Sequence, residues 1–299
     1  YLVNGVSVQN DLESFWNDVF QIQQHQRLLW SLLLLSVGAA AGFGLGIFCG
    51  AEPPVGCRES DLTPVPDESF VSPASASSVE TSPEPEPMPE KWVCLTFDDG
   101  PSKTTPDVLS ALNRAGVKAT FFVVATGNND KYLPLISEAA AAGHQIALHS
   151  ASHEYSDIYQ SADAYWKDID LLKERLSPYV RADGLRYLRF PGGSTNTVSR
   201  RYGGRGLMQQ LKEEVTAKGY AYVDWNVCAE DAVGGKPSAG TIFRNIVRET
   251  GEQTQCIVLM HDSATTRTTA EALPDIIQWY KDNGFTFLTV EQASPLPTT

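Results

Sequence analysis

Residues 92–102 read WVCLTFDDGPS. Five of the first six are apolar and fall on both alternating sets, as in a parallel strand covered on both faces, and the two carboxylates, glycine and proline that follow form a turn. Directly after comes TTPDVLSALNRAG, in which Thr104 or Thr105 can cap a helix and Pro106 suits its first turn. One strand has therefore passed into one helix. The alternation then repeats. VKATFFVV precedes KYLPLISEAAAAG, and HQIALH precedes SADAYWKDIDLLKERLSP, whose Tyr165, Ile169, Leu172 and Leu176 fall on one helical face. YLRF precedes a helix around 207–218, YAYVDW one around 242–248, and CIVLM one around 270–281, which Gly284 can end. FTFLTV closes the series. About seven β-α units imply an α/β domain over residues 91–299, either a doubly wound sheet or a (β/α) barrel.

Outside that domain the composition changes. The formal net charge of −13 and the lack of a Lys/Arg cluster exclude a nucleic-acid partner by ordinary phosphate-binding logic. Residues 28–50, LLWSLLLLSVGAAAGFGLGIFCG, carry no charge and as a helix reach about 35 Å, so they read as a transmembrane helix. Residues 1–27 are mostly polar and acidic rather than a short basic leader, which argues against a cleaved signal. Within them Leu12, Phe15, Val19 and Ile22 suggest an amphipathic surface helix. Gly46 and Phe48 do not suit a lipid attachment site at Cys49. Arg27 and Arg58 flank the span and leave its orientation weakly encoded. Residues 51–90 are rich in Pro, Ser and Glu, with the run TSPEPEPMPE, and read as a linker holding the domain off the membrane. The cysteines form no framework: Cys94 and Cys256 fall in apolar strands, Cys49 in the span, Cys228 beyond the fifth strand, and Cys57 in the linker.

A barrel collects functional groups at the C-terminal ends of its strands. Asp98 and Asp99 follow the first predicted strand, His149 the third, Arg189 the fourth, Asp224 the fifth and His261 the sixth. Taken alone, Asp-Asp-Gly-Pro is turn chemistry, but two carboxylates at a buried strand end repel each other and favour a metal ligand beside a free base. In HSASH, His149 and His153 share a side if the loop continues as a helical turn; the alternative is a pair of loop histidines bonded to backbone. With Asp99 they make two nitrogens and one oxygen, a three-ligand set of catalytic type. His144, which begins a strand, reads as structural.

TFDDGPS, HSASH, RFPGG, DWN and LMHD, in this order, resemble the five motifs of the NodB-type polysaccharide deacetylases, carbohydrate esterase family 4. The resemblance implies a distorted (β/α)7 barrel, a divalent metal (zinc, with Co2+, Ni2+ or Mn2+ as alternatives) and removal of acetyl groups from N-acetylated sugars. Carried over by position, Asp98 is the catalytic base, Asp99, His149 and His153 are metal ligands, and His261 is the general acid. Arg189 then pairs with Asp98, and Asp224 with His261. Pro191 and Gly192 belong to the third motif, where the Gly192 N–H is the oxyanion donor, while Trp225 and Leu259 wall the acetyl-methyl pocket. Asp262 is left without a role. The chain departs from the family at Gly192, where an aromatic residue is common, and continues with Gly193, Ser194 and Asn196, so a wall of the groove is missing or remade. Arg200, Arg201 and Arg205 meet an anionic glycan or form a solvated face. The expected substrate is peptidoglycan, at GlcNAc or MurNAc, outside a bacterial cell membrane that one helix crosses. Chitin, poly-GlcNAc and acetyl xylan are alternatives, and an inactive, membrane-tethered glycan-binding protein is an alternative of another class.

Overall fold

The computed structural model describes residues 88–234 and 236–294. The amphipathic segment, the transmembrane helix and all of the linker before Met88 lie outside the described residues. Among the described residues no helix is long and apolar enough to cross a membrane.

Strands and helices alternate as β1 (Trp92–Asp98), α1 (Thr105–Ala115), β2 (Thr120–Val124), α2 (Pro134–Ala141), β3 (Gln145–Ser150), α3 (Tyr155–Ile158), α4 (Ala162–Leu176) and β4 (Tyr187–Leu188). The series continues with α5 (Val198–Gly203), α6 (Leu207–Ala217), β5 (Ala221–Tyr222), β6 (Val227–Cys228), α7 (Ala239–Thr250), β7 (Gln255–His261), α8 (Arg267–Asp282) and β8 (Thr286–Phe287). The hydrogen-bonded order is β5-β4-β3-β2-β1-β7-β6, with every pair parallel, and β8 adds beside the first residues of β1. That order is a ring of seven strands cut between β5 and β6. It favours the barrel over a doubly wound sheet and matches an incompletely closed (β/α)7 arrangement.

The period of two along each strand separates two cores. Val93, Leu95 and Phe97 join the large cluster under the helices, with Tyr165, Ile169, Leu172 and Leu176 of α4 among its members. Trp92 and Cys94 join a smaller inner cluster with Phe122, Ala147, Val223 and Ile257. Extending the inner register by twos leads from Trp92 and Cys94 to Thr96 and Asp98, from Ala147 to His149, and from Ile257 through Leu259 to His261. Apolar packing deep inside thus gives way to polar groups at the C-terminal mouth. The expected helix from Thr105 is present with Pro106 in its first turn, though Thr104, at its cap position, makes no side-chain capping bond.

The fifth strand departs from expectation. YAYVDW does not run as one strand: pairing to β4 ends at Tyr222, and the chain then crosses to the other edge of the sheet. Asn226 makes that crossing. Its N–H donates to Ile257 O at 3.2 Å, and its side chain accepts from Ile257 N–H at 2.7 Å and donates to Gln255 O at 2.8 Å. A polar side chain replaces ladder bonds there, and the two-residue strand β6 follows.

Candidate active site

Asp98 ends β1 and His261 ends β7, and the two are direct register partners across adjacent strands. Asp98 is buried, and Arg189, just past β4, is fully buried beside it. Arg189 Nη1 donates to Asp98 Oδ1 and to Thr96 Oγ1, both at 2.8 Å. Its Nε donates to Val223 O at 2.9 Å and Nη2 to Asp224 O at 3.2 Å, while the guanidinium lies 4.1 Å from the Phe122 ring centroid. The expected Arg189–Asp98 pair is therefore formed, and the barrel interior is built around it. Buried guanidinium is tolerated here because carbonyls, a hydroxyl and a carboxylate meet its donors.

Asp99 adopts a left-handed backbone, φ 66°. Its Oδ1 lies 3.5 Å from His149 Nε2 and 3.3 Å from His153 Nε2, and the three ligating atoms all fall within 4.8 Å of one another. Ligands about 2.1 Å from one tetrahedral ion sit about 3.4 Å apart, so this donor set fits a divalent cation. His149 Nδ1 is 2.7 Å from Arg189 O, which as acceptor places the proton on Nδ1 and leaves the Nε2 lone pair toward Asp99. Burial lowers the His149 pKa, against the opposing charges of Asp98 and Asp99. A neutral imidazole is the form that binds a metal.

HSASH does not continue as a helical turn, and His149 does bond to backbone, yet both imidazoles reach Asp99. His153 has φ 55°, and the loop is held instead by Asp168 of α4. That carboxylate accepts from Ser150 Oγ at 2.7 Å, Ala151 N–H at 2.8 Å and Ser152 N–H at 2.9 Å, and Ser150 Oγ in turn accepts from His153 N–H at 2.8 Å. In sequence Asp168 reads only as a polar residue on an amphipathic helix, and nothing local marks it as a partner of the histidine loop.

The partner of His261 is Asp231, not Asp224. His261 Nδ1 is 2.8 Å from Asp231 Oδ1, and the His261 N–H donates to Asp231 Oδ2 at 2.8 Å. Thr269 Oγ1 donates to the same Oδ2 at 2.7 Å. Burial pulls the His261 pKa down, but the charge and hydrogen bond of Asp231, with Asp99 and Asp98 adding to them, push it up to about 10. Asp224 follows β5, which pairs with β4, whereas Asp231 follows β6, which pairs with β7. Asp224 instead accepts from the Ser194 N–H at 2.9 Å and from Ser194 Oγ, tying down the Gly-Gly-Ser loop. The same strand-end test, applied to Val227–Cys228, would have found Asp231.

The remaining candidates surround this mouth. Pro191 is buried, and its carbonyl accepts from Tyr159 Oη at 2.7 Å. Gly192 is exposed with φ 80°. Trp225 is half-buried, its guanidinium neighbour Arg189 5.5 Å from the ring centroid, and Leu259 is buried on the inner face of β7. Asp262 now has a place: its N–H donates to Asp98 O at 3.1 Å, its O accepts from Ser102 Oγ at 2.6 Å and its Oδ2 accepts from Thr105 Oγ1 at 2.6 Å. Burial pushes its carboxyl up to about 7. Arg200, Arg201 and Arg205 are exposed. His144 lies away from the site, accepts from Ala119 N–H at 3.2 Å and is lowered by burial to about 4, as a structural histidine should be.

Residues 86–205 match the family model described as polysaccharide deacetylase. The chain is 30% identical over 209 residues to a peptidoglycan-N-acetylglucosamine deacetylase of Bacillus cereus, covering 69% of this chain and 89% of that one. It is 29% identical over 203 residues to a bifunctional xylanase/deacetylase of Pseudobutyrivibrio xylanivorans, covering 68% of this chain but only 30% of that longer protein. The catalytic domain of a peptidoglycan N-acetylglucosamine deacetylase from Eubacterium rectale superposes with a TM-score of 0.67 at 37% identity, over 73% of this chain and 97% of that domain. Sequence order, strand-end geometry and these likenesses agree, and the chain belongs to the polysaccharide deacetylase family, the NodB-type hydrolases of carbohydrate esterase family 4.

Proposed function

We propose that the chain removes acetyl groups from N-acetylglucosamine or N-acetylmuramic acid units of peptidoglycan, using a divalent ion, zinc in preference, held by Asp99, His149 and His153. One observation carries this reading: Asp98, paired with Arg189, and His261, paired with Asp231, are register partners beside a two-imidazole, one-carboxylate donor set. A binding protein has no need of both charged pairs at one mouth. An ion held by these three residues would supply Lewis acidity toward the amide carbonyl and the attacking water. Arg189 occupies Oδ1 of Asp98, so Oδ2, which lies 3.8 Å from His149 Nε2, takes the proton of that water. The Gly192 N–H donates to the carbonyl oxygen as charge develops on it. Asp231 occupies His261 Nδ1, so His261 delivers its proton from Nε2 to the departing amine.

Peptidoglycan is favoured because two of the related proteins are named for it; the xylanase/deacetylase relative keeps acetyl xylan as the second reading. The charge-free residues 28–50 and the acidic, proline-rich linker support a single-pass anchor with this domain outside the cell. The test is acetate release by the detergent-solubilised full chain from peptidoglycan, chitooligosaccharide and acetyl xylan, after chelation and after zinc is restored. Zinc-dependent release, fastest from peptidoglycan, is expected. Metal-loaded protein that binds glycan yet releases no acetate from any of the three overturns the enzyme reading.

A further inference from the structure

Gly192 is held by two constraints. Its φ of 80° disfavours a side chain, and a Cβ built there would lie 3.1 Å from Tyr155 Oη and 3.3 Å from Tyr155 Cε1. Tyr155 opens α3, two residues after His153, and its ring meets the His153 ring edge-on at 5.5 Å between centroids. It also lies 5.9 Å from the ring of Tyr159, whose hydroxyl donates to Pro191 O. One phenol therefore bridges the histidine loop and the Pro191-Gly192 turn, at a half-buried position between the exposed Gly192 and the 26% exposed His153 side chain.

Asn196 Cβ, on the same loop, would lie 3.3 Å from that Cβ, and the rest of the space that a large side chain at residue 192 would claim is filled by Tyr155 from another element. An aromatic ring with a terminal hydroxyl, placed beside the donor set and the Gly192 N–H, suits a sugar: the ring packs on C–H faces and the hydroxyl pairs with a ring substituent. We propose that Tyr155 is a substrate-positioning residue, its ring forming the groove wall over Gly192 and its hydroxyl holding a hydroxyl of the sugar that carries the acetamido group. The inference rests on the deacetylase reading above. A positioning hydroxyl that holds the sugar equally in ground and transition states contributes uniform binding, which appears in KM with kcat unchanged.

The experiment compares the full chain with Y155F in acetate release from N,N′,N″-triacetylchitotriose at saturating zinc, with zinc affinity measured alongside. Y155F should raise KM about 3- to 10-fold, the worth of one hydrogen bond, and leave kcat and zinc affinity within about twofold. Unchanged KM and kcat, a loss confined to kcat, or a loss that added zinc restores each overturns the proposal; the last would mean that Tyr155 serves only to hold His153. Binding of the same trisaccharide to D98N and to D98N/Y155F gives a readout independent of turnover, where the double variant should bind about 3- to 10-fold more weakly and equal affinity overturns the proposal. If the wild-type chain releases no acetate from peptidoglycan, chitooligosaccharide or acetyl xylan, the deacetylase reading fails; if it does and Y155F behaves identically to wild type in turnover and binding, only the role of Tyr155 fails.

Discussion

His261 Nδ1 and Asp231 Oδ1 are 2.8 Å apart, and Asp231 is nearly fully buried with its second oxygen engaged by the His261 N–H and Thr269 Oγ1. The carboxylate is fixed from three sides, so it favours the imidazolium and orients the ring. A general acid must be protonated, and activity therefore falls as pH rises through its pKa. Asp98 and Asp99 contribute part of the upward shift to about 10, and a bound cation cancels that part. The alkaline limb of kcat should accordingly lie above the ordinary histidine value of 6.5 and below about 10. D231N should move this limb to lower pH and cut kcat at least about 10-fold at pH 8. A limb that stays in place in D231N would remove His261 as the titrating acid.

The same pair links stability to pH. The folded pKa of His261 is raised, so its contribution is fully present below the unfolded value of 6.5 and is lost as pH rises through about 10. Metal-free wild type should therefore lose part of its melting advantage over H261Q between these limits. A difference in Tm that is flat from pH 6 to pH 10 would contradict the coupling.

Base and ligand separate by mutation. D98N should keep zinc affinity within a few-fold and lose turnover by about 10²-fold or more, whereas H149A, which removes one of three donors, should lose zinc. Metal content by mass spectrometry and acetate release decide it; normal zinc binding by both variants would refute the ligand assignment.

Legibility followed the range over which each signal acts. Strand polarity, the period of two and the strand-end rule all act within a few residues, and they place Asp98, Asp99, His149, Arg189 and His261 at one mouth without reference to any pairing. Arg189–Asp98 came from resemblance and is formed: Asp98 ends the seven-residue β1, and Arg189 sits in the run YLRF directly after the two-residue β4. Asp231 was hidden by a two-residue strand whose ladder is completed by the Asn226 side chain, which no apolar period marks. The Asp224-Trp225 dipeptide drew the assignment to the wrong edge of the sheet. Asp168 and Tyr155 act across tertiary contacts, on the histidine loop and on Gly192, and such contacts leave no trace in local composition.

Arg189 tests whether the buried ion pair holds the barrel as well as the base. It is fully buried, and its loss leaves Asp98 without its cation and Thr96, Val223 and Asp224 without a shared donor. R189M should destabilise by about 3–5 kcal/mol in urea melts, since a buried partner is left uncompensated. R189K keeps the charge but not the planar fork and should fall between. Destabilisation below about 1 kcal/mol in R189M would show that water replaces the guanidinium freely.

Asp168 should act on the metal through the loop it holds. D168A removes three hydrogen bonds to Ser150, Ala151 and Ser152, and with them the support of His153 through Ser150 Oγ. A drop in zinc affinity of about 10- to 100-fold is expected, with a stability loss of about 2–4 kcal/mol. D168N, which keeps an acceptor, should recover part of both. Unchanged zinc titration in D168A would show that the loop holds its shape without this carboxylate.

Gly100 and Asp262 make the sharpest packing test. A Cβ at residue 100 would lie 2.1 Å from Asp262 Oδ1 and 2.2 Å from Oδ2, and Gly100 has no positive φ to forbid alanine on its own account. The constraint is therefore the Asp262 carboxyl, which Thr105 Oγ1 holds in place at 2.6 Å. G100A should force that carboxyl or the Asp98-Asp99 turn to move, costing about 1–3 kcal/mol and reducing turnover. D262A alone opens a buried gap and removes the Thr105 partner. Because the alanine methyl of G100A fits into that gap, the double variant G100A/D262A should be less destabilised than the sum of the two, with a coupling of about 1–2 kcal/mol. Additive costs would mean that the turn, and not Asp262, rejects the methyl group.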